Sequence, residues 1–108
     1  MARAGGEIRG SAADRRARRA KLIRVYGDGC KVACVHCDAM VDDAGMEVDK
    51  IIPGSQGGRY VWANILPSCM HCNRQRSDKT TVTEIRRLQG MLILTSARER
   101  RQFASLAL

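Results

Sequence analysis

Two Cys-x-x-Cys units, Cys34-Val35-His36-Cys37 and Cys69-Met70-His71-Cys72, constrain this chain more than any other feature. Each short loop can bring two thiolates onto one ion, and zinc takes four such ligands tetrahedrally. A site of four cysteines has no open coordination position, so its zinc is structural and its binding energy contributes to folding. The chain needs that contribution. It has 108 residues with only 4% aromatic side chains, enough for a thin core. Disulfides would require an oxidising compartment, and the N-terminus carries no signal-peptide apolar core. A redox Cys-x-x-Cys has no use for a second copy. Cys30 is left over, at a less standard spacing from Cys34, and reads as a free thiol. His36 and His71 sit inside the units and read as loop residues rather than ligands.

Nineteen Lys and Arg stand against eleven Asp and Glu, a net charge of +8. Such an excess points to a polyanionic partner. The distribution strengthens that reading: Arg15, Arg16, Arg18, Arg19, Lys21 and Arg24 crowd one segment, and Arg98, Arg100 and Arg101 another. No apolar run approaches the roughly 20 residues of a membrane span, so no membrane partner is expected. With no secretion signal in view, the expected location is the cytoplasm.

The chain divides into four stretches. Residues 1–10, small and Gly-rich, read as a flexible arm. Residues 11–29 read as a basic helix: Ser11 is a good N-cap, Ala, Arg and Lys follow, and Gly27-Asp28-Gly29 stops it near Tyr26. Residues 30–80 hold the cysteines. Within them 30–45 reads as loops, 46–52 as a strand, 53–58 as a turn cluster, 60–65 as a second strand, and a helix follows to about Ser77. Residues 81–108 read as helices. Thr81 and Glu84 have capping-box spacing, Gly90 is a stop, and Ser96 with Glu99 starts a last helix over about 97–106. Ile85, Leu88, Leu92, Ile93, Leu94, Phe103 and Leu106 would form a helical apolar cluster there.

Three features stand out between the cysteine pairs. Asp49 interrupts an apolar strand, where a carboxylate is unexpected unless it binds something. Asn73 follows a metal knuckle at a helix start. A Gly-rich turn lies between them. Carboxylate and amide oxygens are hard ligands suited to Mg²⁺. The plainer alternative is an acid at a turn and an Asn serving as a cap.

At this point the sequence resembles the HNH endonucleases, the ββα-metal nucleases, and in particular small phage and bacterial members. The likeness spans about residues 34–79. It rests on Asp49-Lys50-Ile51-Ile52-Pro53, Gly57-Gly58, Asn64, and Cys69-x-x-Cys72-Asn73 with Arg76, in the family's order. The resemblance implies an α+β fold, a small zinc-stapled ββα-metal domain flanked by basic helices. It implies a structural zinc on Cys34, Cys37, Cys69 and Cys72, and a catalytic Mg²⁺ or Mn²⁺ on Asp49 and Asn73. It gives Asn64 the task of holding the hairpin loop. It implies hydrolysis of DNA phosphodiester bonds in a bacterial host cell, with a phage DNA-packaging (terminase) protein as a further partner; the C-terminal apolar cluster, if larger than one small core can hide, would suit a homodimer or a larger phage partner.

One position departs from the pattern. The family's first His, the general base, is replaced by Lys50. Imidazole titrates near neutral pH, whereas a free Lys has a pKa of about 10.4. Lys50 therefore reads as a phosphate clamp or as a base of depressed pKa, with Asp49 next door opposing that depression. His36 or His71 would serve only if the fold brought one near, and both lie on the zinc side. The competing reading is a catalytically weak or inactive zinc-stapled DNA-binding or adaptor module. For nucleic-acid contacts the expected residues are Arg15, Arg16 and Arg19 on the first helix, Arg59 beside the turn, and Arg74, Arg76 and Lys79 after the second cysteine pair. Trp62 is expected in the core, and Met70 and Met91 as ordinary packing residues.

Overall fold

The computed structural model describes residues 10–76 and 80–106. The expected N-terminal arm, apart from Gly10, lies outside the described residues, as does Lys79. Helix α1, Ala12–Tyr26, opens on the expected Ser11 N-cap. The Ser11 hydroxyl accepts from the Asp14 N–H at 3.0 Å, and the Asp14 carboxylate accepts from the Ser11 N–H at 3.0 Å. Two orphan donors of the first turn are thereby satisfied. The helix buries only Leu22 and Ile23, and Arg15 and Arg16 are exposed.

The stretch expected as loops contains a first small hairpin, β1 (Lys31–Ala33) and β2 (Met40–Asp42), antiparallel with Val32 opposite Val41. Strands of three residues are too short to show a period. The hairpin is closed by the first cysteine knuckle, where the Cys34 N–H donates to the Ala39 carbonyl at 2.9 Å. Asp38, at φ 67°, takes the left-handed turn beside it.

The second hairpin pairs β3 (Met46–Lys50) with β4 (Ile65–Cys69), Met46 opposite Cys69 and Lys50 opposite Ile65. The second strand thus begins where the sequence reading ended it. Residues 62–64, expected as strand, form a 3-10 turn. The error has a physical source. Tyr60-Val61-Trp62 carries strong β formers, while β4 contains Pro67, which argues against a strand unless its missing donor is not needed. In a two-stranded ribbon one side of each strand makes no ladder bonds, so Pro67 is tolerated. Its carbonyl accepts from the Val35 N–H at 3.1 Å, tying the two hairpins together.

Helix α2, Met70–Arg76, follows β4 directly and completes a ββα unit. Helix α3, Val82–Gln89, is capped by Thr81, and α4, Ala97–Leu106, by Ser96, both at the expected positions. The architecture is α+β, with two small antiparallel sheets and four helices among the described residues.

Two apolar clusters hold it. Leu22, Ile23, Val32, Met46 and Ile65 pack between α1 and the hairpins. Ile51, Ile52, Leu66, Ile85 and Leu88 pack under α3, with Leu92 and Leu106 against them. Tyr26 borders both. The expected helical cluster at the C-terminus is therefore split. Residues 91–94 are not helical; they run as a strap whose Ile93 N–H donates to the Tyr26 hydroxyl at 2.8 Å. The Ile93 carbonyl in turn accepts from Trp62 Nε1 at 2.9 Å. Ile93, Met70 and Met91 are each 40% exposed, so neither methionine is a core residue. A buried-edge ion pair, Lys21 to Glu99 at 2.7 Å, joins α1 to α4.

The loop between β3 and β4 is fixed by Asn64, which is buried. Its Oδ1 accepts from the Ile52 N–H at 2.9 Å, and its Nδ2 donates to the carbonyls of Ile52 and Arg59 at 3.1 and 3.0 Å. Gly58 makes this closure possible: a Cβ there would lie 1.6 Å from the Ile52 carbonyl oxygen. Gly58→Ala should therefore destabilise the domain by roughly 3–5 kcal/mol through forced backbone displacement. Chemical denaturation checks this, and a variant of native midpoint would contradict the tight loop.

Candidate functional site

The two Cys-x-x-Cys units converge at one end of the ββα unit. The Sγ atoms of Cys34, Cys37, Cys69 and Cys72 all lie within 4.8 Å of one another, with Cys37 and Cys69 3.9 Å apart. Four Zn–S bonds of about 2.3 Å at tetrahedral angles place sulfurs about 3.8 Å apart, so the set fits a structural zinc. The backbone supports charged sulfurs: the N–H groups of His36 and Cys72 each lie 3.4 Å from the Sγ of Cys34 and Cys69. Burial pushes the Cys34 thiol up, but hydrogen bonds from the backbone of Cys69, His36 and Cys37 outweigh it and bring the group down to about 6. Burial and the neighbouring thiols push Cys72 up to about 12. Four thiolates cannot coexist so close without a cation. Cys30 stays apart, exposed and free.

The second half of the site lies where α2 crosses β3. Side chains alternate along a strand, so Glu47 and Asp49 share one face and Lys50 takes the other. Asn73 and Arg76 lie one turn apart on α2 and meet that first face. Asn73 Nδ2 donates to Glu47 Oε1 at 2.8 Å, and Arg76 pairs with Asp49 Oδ1. The other Asp49 oxygen is 2.6 Å from His36 Nε2, although that imidazole belongs to the zinc knuckle. Asp49 is 2% exposed and Arg76 8%. Arg76 further donates to the carbonyls of Lys50 and Ile51, and its Nε lies 3.5 Å from Glu84. Thr80 hydrogen-bonds the Glu84 carboxylate, and with the Arg76 charge holds its carboxyl below the usual range.

Asp49, Lys50, Asn73 and Arg74 border one cleft of about 340 Å³, with Tyr60 and Val48. A neighbouring hollow of about 370 Å³ shares Tyr60, Val48 and Asn73 and is walled by Arg15, Arg18 and Arg19 of α1. Lys50 Nζ lies 4.5 Å from the Tyr60 ring centroid and Arg18 Cζ 4.7 Å from it, so the ring gathers two cations at the junction. The Asp49 carboxylate and the Asn73 amide bordering the first cleft suit a divalent ion in kind. Arg76 is the competing cation on Asp49. Among the described residues, the four cysteines are the one set of three or more His, Cys, Asp or Glu ligand atoms this close together.

Residues 34–79 match the family model of the HNH endonucleases. This segment is similar to the HNH endonucleases. No curated protein and no solved structure matches the chain. The matched segment accounts for less than half of the 108 residues, and α1, α3 and α4 lie outside it. An HNH domain points to nuclease-type function, and the four cysteines to zinc binding.

The expected nucleic-acid residues separate into two groups. Arg15, Arg16, Arg59 and Arg74 are exposed. Arg19 and Arg76 turn inward. Arg19 is bound to Asp43 and to the Met46 carbonyl, bracing the β2–β3 turn, and Arg76 is buried against Asp49. The buried carboxylate explains the second case, since only a cation or a proton makes Asp49 tolerable there. Sequence reading placed His36 on the zinc side, usable only if the fold brought it near; the fold does bring its Nε2 to 2.6 Å from Asp49. Its position inside a knuckle gave no signal, because the contact depends on how β4 brings the two cysteine pairs together. Arg18 was noted only as part of the basic segment, and Tyr60 entered only as the first residue of the expected second strand.

Proposed function

We propose that this chain is a divalent-metal-dependent DNA endonuclease whose HNH domain hydrolyses phosphodiester bonds. The observation that carries the reading is the single cleft bordered by Asp49, Asn73, Lys50 and Arg74, on a domain of the HNH family. Asp49 and Asn73 would hold Mg²⁺ or Mn²⁺. When bound, such an ion stabilises the charge that develops on the attacked phosphate and on the leaving 3′ oxygen. Lys50, which borders the same cleft, clamps the scissile phosphate beside Tyr60. Arg74 holds a flanking phosphate. Arg15 and Arg16 extend the contact along α1, with affinity that falls steeply as salt rises. Asn64 acts at a distance by fixing the loop that follows Lys50.

The pairing of Asp49 with Arg76 favours a second reading, a zinc-stapled DNA-binding module with little or no turnover that acts with a packaging protein or as a homodimer. Lys50 separates the two. On the nuclease reading, Lys50→Ala should slow Mn²⁺-dependent nicking of supercoiled plasmid about 100-fold, as expected for loss of a charge aimed at the reacting phosphate. Lys50→His should raise the rate at pH 7 by supplying a group that titrates there. A Lys50→Ala protein that nicks like the native one would remove Lys50 from the mechanism.

A further inference from the structure

His36 is the one member of the Asp49 cluster that the HNH pattern does not call for. Its Nε2 lies 2.6 Å from Asp49 Oδ2, and the two side chains are 12% and 3% exposed. The opposite oxygen, Oδ1, faces the Arg76 guanidinium, itself 7% exposed. A guanidinium beside a buried carboxylate tends toward the two-pronged pair that takes both oxygens. The imidazole on Oδ2 opposes that rotation. Its backbone is anchored in the knuckle, where its N–H lies 3.4 Å from Cys34 Sγ.

We propose that His36 is a positioning residue for the cleft. Anchored by the Cys34–Cys37 knuckle, it keeps the Asp49 carboxylate from closing into a bidentate pair with Arg76, so that the order of the zinc unit is transmitted to the metal-binding carboxylate. The proposal rests on the nuclease reading above. Its subject is a coupling between the two metal sites: the structural zinc orients a ligand of the catalytic ion through one imidazole.

The test is Mn²⁺ binding to the zinc-loaded full chain, followed by the electron paramagnetic resonance signal of free Mn²⁺, with zinc content measured on each sample. His36→Ala should weaken Mn²⁺ binding about 10-fold or more while zinc is retained, the usual scale for losing a group that orients a metal ligand. His36→Gln, which keeps a side-chain N–H donor, should stay within about 3-fold of native. Native affinity in His36→Ala with zinc retained would overturn the proposal. If His36→Ala loses zinc, His36→Phe replaces it as the donor-free variant, and equal affinities for His36→Phe and His36→Gln would overturn it as well. A native chain that binds no Mn²⁺ beyond its zinc would overturn the nuclease reading together with this one, and is distinguished by failure of the native protein itself.

Discussion

Removal of zinc should unfold the whole chain rather than loosen one loop. The four cysteines come from the turn after β1 and from the end of β4 with the start of α2, so an ion held by them would join both hairpins and the helix of the cleft. Structural zinc contributes about 10–16 kcal/mol in small domains, while a whole domain is stable by only about 5–15 kcal/mol. The apolar clusters, each built on a handful of aliphatic side chains, do not offset that loss. Stoichiometric chelation should therefore abolish the cooperative thermal transition seen by circular dichroism, and Cys72→Ser should do the same. The pH dependence has a definite sign. In the metal-free cluster Cys34 loses its proton at about 6 and Cys72 holds its own to about 12. Between those values zinc binding must release protons, so zinc affinity falls as pH falls. A metal-free chain that still melts cooperatively would contradict the staple.

Asp49→Ala should cost about 3–5 kcal/mol of stability in the zinc-loaded protein, apart from any effect on activity. The substitution leaves the Arg76 guanidinium buried and without its carboxylate, and removing one member of a buried pair costs about that much. Urea denaturation reads it directly. Replacing both residues by apolar ones of similar volume, Asp49→Leu with Arg76→Met, should recover much of the loss, because a buried ion pair adds little over good packing. A loss below about 1 kcal/mol for Asp49→Ala would mean that Asp49 is held chiefly for its chemistry and that Arg76 finds other partners easily. Asp49→Asn keeps the volume and two polar atoms, and is the cleaner variant for activity.

Much of the architecture was legible because local signals agreed. Ser11, Thr81 and Ser96 cap helices where spacing placed them, and the four cysteines converge as their two short loops implied. Asp49 and Asn73 border one cleft because β3 and α2 follow the family's ββα order. What was not legible depends on tertiary register. The shift of β4 to Ile65–Cys69 turned on a proline tolerated at an open ribbon edge. The inward turn of Arg19 and Arg76 turned on carboxylates and carbonyls supplied by segments 24 and 27 residues away in sequence. The same holds for His36. By its place in the sequence it belongs to the cysteine knuckle; in the fold it faces the Asp49 carboxylate. A basic residue near a site reads as a phosphate contact until the buried acid beside it is known.

The most direct measurement is nicking of supercoiled plasmid by the purified zinc-loaded chain, with Mn²⁺, Mg²⁺ or excess chelator of divalent ions weak enough to spare the zinc, beside Asp49→Asn. Open-circular or linear product that requires the added metal and vanishes in Asp49→Asn, with plasmid binding retained, is the predicted result. Plasmid that is bound but never cut, by native protein and variant alike, would contradict it and favour a zinc-stapled DNA-binding module.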